Sequence, residues 1–102
     1  MSEYVKVMPV ADLPPGRCRE VQVAGRSVAL FNVEGAFYAT ANSCLHRGGP
    51  LGRGDLDGRL VICPWHAWGF DVTTGASETD PEMRLATYDV RVEDGHVLLR
   101  ME

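Results

Sequence analysis

Four dipeptides ending in glycine cut this chain into short β-type segments. Ala24-Gly25 lies between residues 19–23 and 26–31, and Glu34-Gly35 separates 31–33 from 36–39. Asp57-Gly58 leads into residues 59–62, and Asp94-Gly95 joins 88–92 to 96–100. Glycine accepts the positive φ that tight hairpin turns require, so a turn dipeptide between alternating segments signals two antiparallel strands. In the last pair, Tyr88, Val90 and Val92 alternate with Asp89, Arg91 and Glu93, the pattern of a half-buried strand. No stretch sustains a helical period. The expected fold class is all-β, an antiparallel barrel or sandwich.

At 102 residues, the chain is expected to form a single domain spanning 1–102. Its 45% hydrophobic and 24% charged content suits a buried core and speaks against disorder. The apolar run Val28-Ala29-Leu30-Phe31 is far too short to cross a bilayer, so no membrane partner is expected. With 10 basic against 14 acidic side chains and Lys6 as the only lysine, the net charge of -4 argues against nucleic acid. Met1-Ser2-Glu3-Tyr4 has neither the basic start nor the apolar stretch of a secretory signal, which points to a cytoplasmic location. Three cysteines, an odd number, do not read as a disulfide framework.

The texture changes in two loops at about 42–54 and 62–74. Gly48, Gly49, Pro50, Gly52 and Gly54 come in quick succession, followed by strand residues and then Cys63-Pro64-Trp65-His66. Glycine-rich loops cost much conformational entropy to order, so something is expected to hold them. The candidate is Cys44-x-His46, then 16 residues, then Cys63-x-x-His66. Two thiolates and two imidazoles can close a tetrahedral zinc site or ligate an iron–sulfur cluster. Two similar loops, each supplying one sulfur and one nitrogen, suit a two-iron centre clamped from both sides. Gly48, Gly49 and Gly69 are placed to let backbone N–H groups approach bridging sulfides, with Pro64 beside them in the second loop. A zinc-stabilised interaction module without redox chemistry stays open at this point.

Cys44-Leu45-His46-Arg47-Gly48-Gly49-Pro50-Leu51 and Cys63-Pro64-Trp65-His66-Ala67-Trp68-Gly69-Phe70-Asp71 resemble the two loops of Rieske [2Fe-2S] proteins. Ala11-Asp12-Leu13-Pro14-Pro15-Gly16, Asn32-Val33-Glu34-Gly35 and Val92-Glu93-Asp94-Gly95 extend the similarity to small Rieske ferredoxins over nearly the whole chain. The loop wording is also similar to Rieske-type small subunits associated with assimilatory nitrite reductase. The resemblance implies a Rieske fold, an antiparallel β-sandwich or barrel base carrying a two-loop cluster-binding subdomain, and one [2Fe-2S] cluster as cofactor. It implies that Cys44 and Cys63 bind one iron and that His46 and His66 bind the other through Nδ1. Neutral imidazoles in place of thiolates make the cluster less negative and raise its potential. Exposed imidazole nitrogens would link electron to proton affinity.

Departures from the family pattern refine this expectation. Gly49 and Trp65 stand where high-potential relatives carry a second cysteine pair, so no staple joins the loops. Trp68 and Phe70 stand where those relatives place serine and tyrosine hydroxyls as donors to the cluster. Fewer donors lower the potential, toward the end of the Rieske span near about -150 mV rather than about +300 mV. Trp65 and Trp68 are expected to cover the cluster and keep it dry. Arg47 and Arg53 are either solvated or a docking surface for an acidic partner. Glu78, Asp80 and Glu82 around Pro81 read as a charged loop, Cys18 as a small core residue, and His96 as a solvated turn residue. Asp71, before Thr73-Thr74-Gly75, ends a strand in a turn.

The functional expectation is a one-electron carrier with no catalytic residues of its own. The chain has no room for the mononuclear-iron domain of an oxygenase and no nucleotide-binding glycine pattern. Electrons would arrive from a flavin reductase and leave to a terminal oxygenase or reductase. The alternative within redox chemistry is the small subunit of an NADH-dependent nitrite reductase.

Overall fold

Both central residues of three expected turns adopt left-handed backbone: Ala24 and Gly25 at φ 51° and 78°, Glu34 and Gly35 at 52° and 97°, Asp94 and Gly95 at 50° and 75°. This geometry matches the twist of the strands it joins, and each turn closes a hairpin. The computed structural model describes residues 4–42, 51–63, 69–78, 82 and 84–100. Within them lie β1 (Tyr4–Pro9), a single 3-10 turn (Val10–Asp12), β2 (Cys18–Val23), β3 (Arg26–Val33) and β4 (Ala36–Ala41). A second 3-10 turn (Leu51–Arg53) leads to β5 (Asp55–Asp57), β6 (Leu60–Ile62), β7 (Gly69–Asp71), β8 (Thr87–Glu93) and β9 (His96–Arg100). The expected all-β, antiparallel fold is the one observed.

The strands form two sheets. One has six strands in the order β1-β9-β8-β4-β3-β2, and the other has three in the order β5-β6-β7. The larger sheet curls around a core of Met8, Leu13, Val23, Val28, Leu30, Ala39, Val97 and Leu99. The smaller sheet packs on its outer face, enclosing Ala29, Phe31, Leu51, Val61, Cys63, Phe70, Val72 and Leu85. β3 serves both layers: Val28 and Leu30 point into one core, Ala29 and Phe31 into the other, and all four are fully buried. The unbroken apolar run at 28–31 is thus a strand covered on both faces, which removes the need for polar alternation.

The strand pattern of β8 is only partly realised. Tyr88 and Val90 are half-buried, but Val92 is 49% exposed. The cause lies in pairing, since β4 meets β8 only at Tyr88 and Thr87, and beyond them β8 pairs with β9 alone. His96 opens β9 in a half-buried position, its Nδ1 lying 3.0 Å from the Asp94 carbonyl oxygen. Asn32 is buried and ties the 13–17 segment to β3. Its Nδ2 donates to the Leu13 carbonyl at 2.8 Å, and its Oδ1 accepts the Gly35 N–H at 2.8 Å.

Candidate metal centre

Two chain connections leave the same end of the fold. The first runs from Asn42, just past β4, to Leu51. The Leu51 N–H donates to the Asn42 carbonyl at 2.7 Å, and the Gly52 N–H donates to Asn42 Oδ1 at 2.7 Å. Asn42 and Leu51, the described residues on either side of 43–50, are therefore held together. Cys44, His46, Arg47, Gly48 and Gly49 belong to that stretch and lie outside the described residues. The second connection links β6 to β7, where Ile62 and Gly69 face each other in register. Cys63 opens it as a free thiol, 2% exposed. Pro64, Trp65, His66 and Trp68 follow, also outside the described residues.

The two necks touch. Gly54 lies so close to β6 that a Cβ there would overlap the Ile62 carbonyl, and its N–H donates to the Leu51 carbonyl at 3.0 Å. Leu51 and Cys63, at the exit of one connection and the entry of the other, share one core. A third segment flanks them: the Glu78 N–H donates to the Gly69 carbonyl at 2.8 Å, and Ser77 bridges Phe70. A Cβ at Gly69 would meet the tip of the exposed Glu78 side chain, which would have to swing aside. Of the acidic residues at this edge, Glu78 and Glu82 are exposed, while Asp80 and Pro81 lie outside the described residues.

Charges near the necks are internally matched. Glu20 on β2 accepts from Asn42 Nδ2 at 2.7 Å and pairs with Arg53 at 2.7 Å. The Asn42 hydrogen bond leads the causes that hold its carboxyl below the usual range, Arg53 adding to it against a partial desolvation penalty. Arg53, considered from sequence as a docking cation, thus has its charge offset within the fold. The half-buried Cys18 thiol donates to the Gly54 carbonyl at 3.1 Å; burial first, then the Asp55 charge, pushes its pKa up. Cys18 is therefore a packing group at the loop base, as expected. Asp71 ends β7 in a turn, where it accepts from the Thr73 N–H at 2.9 Å and the Thr73 hydroxyl at 2.6 Å.

Among the described residues, no three histidine, cysteine or acidic side chains gather around a common point. Cys63 is the one candidate ligand that falls within them. Its placement fits a cluster. A buried, unpaired thiol stands at the head of a short strand-to-strand connection that also carries His66, against the neck of the connection that carries Cys44 and His46. The contribution of Asn42, Glu20 and Gly52 is not apparent in the sequence. Glu20 and Asn42 are 22 positions apart, and the only local hint is an asparagine between a strand and a cysteine.

Comparison with known proteins gives the family and the fold. Residues 3–89 match the family model of the Rieske [2Fe-2S] domain. The ferredoxin component of the naphthalene 1,2-dioxygenase/salicylate 5-hydroxylase systems of Ralstonia sp. is 41% identical over 92 residues, covering 89% of this chain and 88% of that protein. A chain from the complex of reduced oxygenase and oxidised ferredoxin in carbazole 1,9a-dioxygenase superposes with a TM-score of 0.87 at 33% identity, covering 95% of this chain and 92% of that one. A protein assigned as the small subunit of an NADH-dependent nitrite reductase from Mycobacterium tuberculosis has a TM-score of 0.90 at 25% identity, covering 100% and 97%. One Rieske-type [2Fe-2S] cluster is the cofactor, and electron carriage rather than catalysis is the role that goes with it. The chain belongs to the Rieske [2Fe-2S] domain family.

Proposed function

We propose that this protein carries single electrons from a reductase to a terminal oxygenase, with Cys44, His46, Cys63 and His66 as the cluster ligands. The cluster supplies reversible one-electron chemistry; the chain holds it, tunes it and keeps water from it. Cys44 and Cys63 hold one iron as thiolates, and His46 and His66 hold the other as neutral imidazoles. The carrying observation is the contact between the necks of two connections that each bear one cysteine and one histidine, Gly54 lying on the Ile62 carbonyl. The relatives support the acceptor, being ferredoxin components of dioxygenase systems and a ferredoxin captured with its oxygenase. This chain lacks a nucleotide-binding glycine pattern, so a separate donor is required, and a flavin reductase is the donor proposed.

Cytoplasmic placement belongs to the same proposal. Cys18, the cysteine outside the proposed ligand set, is a free thiol, which suits a reducing compartment. Among the described residues, no helix is long and apolar enough to cross a membrane. Residues 1–102 are taken to act as one domain.

The test is an EPR spectrum of dithionite-reduced, anaerobically purified protein, with iron and acid-labile sulfide counted on the same sample. A rhombic signal with average g well below that of a free electron, lost in Cys44→Ser and in His66→Cys, is the expected result. An unchanged signal in Cys44→Ser would overturn the ligand assignment. The likeness to the nitrite reductase small subunit favours a second acceptor. Stable co-purification with a sirohaem-bearing large subunit would select it over the oxygenase.

A further inference from the structure

We propose that Asn42 and Glu20 are positioning residues for the cluster, forming a polar buckle that closes the neck of the 43–50 connection; the inference rests on Cys44 and His46 being ligands. Asn42 is 7% exposed and uses every polar atom it has. Its Nδ2 donates to Glu20 Oε2 at 2.7 Å and to Ser27 Oγ at 3.0 Å, while its Oδ1 accepts the Gly52 N–H at 2.7 Å. Its carbonyl accepts the Leu51 N–H at 2.7 Å, and its own N–H donates to the Ser27 carbonyl at 3.2 Å. One side chain thus joins the strand that leads into the loop, the turn that leads out of it, and β2.

Glu20 completes the closure from the other side. Its Oε1 accepts from Arg53 Nε at 2.8 Å and Nη2 at 2.7 Å, so the carboxylate spans residue 42 and residue 53. Behind it, Gly52 is pressed against β2, where an added Cβ would lie 2.5 Å from the Glu20 nitrogen. The loop exit therefore has β2 as a rigid backing. Fixing both ends of the loop restricts the orientations open to Cys44 and His46. Partners hydrogen-bonded to a metal ligand set its direction, and their loss typically costs about 10–100-fold in metal affinity; the buckle acts one step further out, through the loop ends, and its loss should cost less.

A purely structural role for the buckle predicts lower global stability with an unaltered cluster. A positioning role predicts a changed cluster. The experiment uses anaerobic holoprotein, reading the rate of cluster bleaching under EDTA, the reduced g values and the midpoint potential, alongside urea unfolding. Asn42→Ala should bleach several-fold faster, with shifted g values. Asn42→Asp should behave similarly, because it sets a second carboxylate against Glu20 in place of a donor. The double variant Asn42→Asp, Glu20→Gln reverses the direction of that hydrogen bond and should bring bleaching back toward the parent rate. Rescue is read against Asn42→Asp alone, so it decides the matter even where Asn42→Ala does not accumulate.

Parent-like bleaching and g values in Asn42→Ala, or a double variant no better than Asn42→Asp, would overturn the buckle. A cluster that survives in Cys44→Ser would instead mean that the loop does not ligate, a separate failure with its own readout. Lowered urea stability with an unaltered cluster in every variant would leave Asn42 and Glu20 as structural residues and reject the inference.

Discussion

Gly54 and Ile62 are in such close contact that the Gly54 Cα leaves no space for a Cβ beside the Ile62 carbonyl. Ile62 precedes Cys63, so this contact sets the distance between the necks of the two proposed ligand loops. Backbone cannot yield as a flexible side-chain tip does, and Gly54→Ala must push β6 and the 51–54 turn apart. The expected cost is about 1–3 kcal/mol of unfolding free energy, read from urea denaturation of the holoprotein. Reconstitution of the apoprotein with iron and sulfide should also slow. Parent-like stability would show that the necks part without penalty.

Phe70 is fully buried in the core that contains Cys63. A hydroxyl there that reached a cluster ligand would donate to it and favour the reduced, more negative state. One hydrogen bond is worth about 1–1.5 kcal/mol, or about 40–65 mV for a one-electron couple. Phe70→Tyr should therefore raise the midpoint by that amount from a parent value near about -150 mV. Protein-film voltammetry measures both. A strongly positive parent midpoint would contradict the low-potential assignment, and an unmoved variant would mean that the hydroxyl does not reach.

Asp71 carries a pH dependence whose sign can be worked out. Partial burial alone would raise its pKa, but the Thr73 hydroxyl and N–H, Arg59 and the Thr74 N–H outweigh it and hold the carboxyl below its usual value. A carboxyl with a lowered folded pKa stabilises the fold fully above its unfolded value of about 3.9. That contribution is lost as pH falls through the unfolded and then the folded pKa. Asp71→Asn should be less stable than the parent by about 1 kcal/mol at neutral pH, with the difference shrinking on acidification below the unfolded pKa. Urea midpoints across pH 3–7 would show this, and a constant difference would refute it.

The Cys18 thiol donates to the Gly54 carbonyl at 3.1 Å, and its pKa is raised by burial and by Asp55. Little thiolate is present at neutral pH, so iodoacetamide should alkylate Cys18 several-fold more slowly than glutathione. Mass spectrometry of the folded holoprotein measures the rate. Cys18→Ala should keep its full iron content, since the proposed ligands are elsewhere. Loss of iron would give Cys18 a place in the cluster site.

The hairpins were legible because each carries its own turn chemistry and alternation within a few neighbouring positions. β2, β3, β4, β8 and β9 all follow from such local signals. β5 and β7 span only Asp55–Asp57 and Gly69–Asp71, too short to display a period, and aspartate and glycine are poor strand formers. β1 has no hairpin partner beside it; it pairs with β9 from the opposite end of the chain, with an irregularity between Lys6 and Met8. The ligand candidates stood out because cysteine and histidine recur together as Cys-x-His and Cys-x-x-His in two loops, a pairing that Cys18 and His96 lack. Asn42 and Glu20 did not, since common polar residues acquire a role only when the fold brings distant positions together.

β3 has no side of its own that faces water, and this governs how the protein can be made. The buried residues around Ala29 and Phe31 run from Leu51 to Leu85, and the other face, lined by Met8, Leu13, Val23 and Ala39, is completed only by Val97 and Leu99. On the ribosome, then, the most apolar strand emerges early, one of its covers emerges late, and the other is closed only by the last strand. The nascent chain cannot mature in stages from its first half. It holds a sticky ribbon until the last strand clears the exit tunnel, so a truncated product would be a substrate for chaperones and proteases rather than a smaller working carrier.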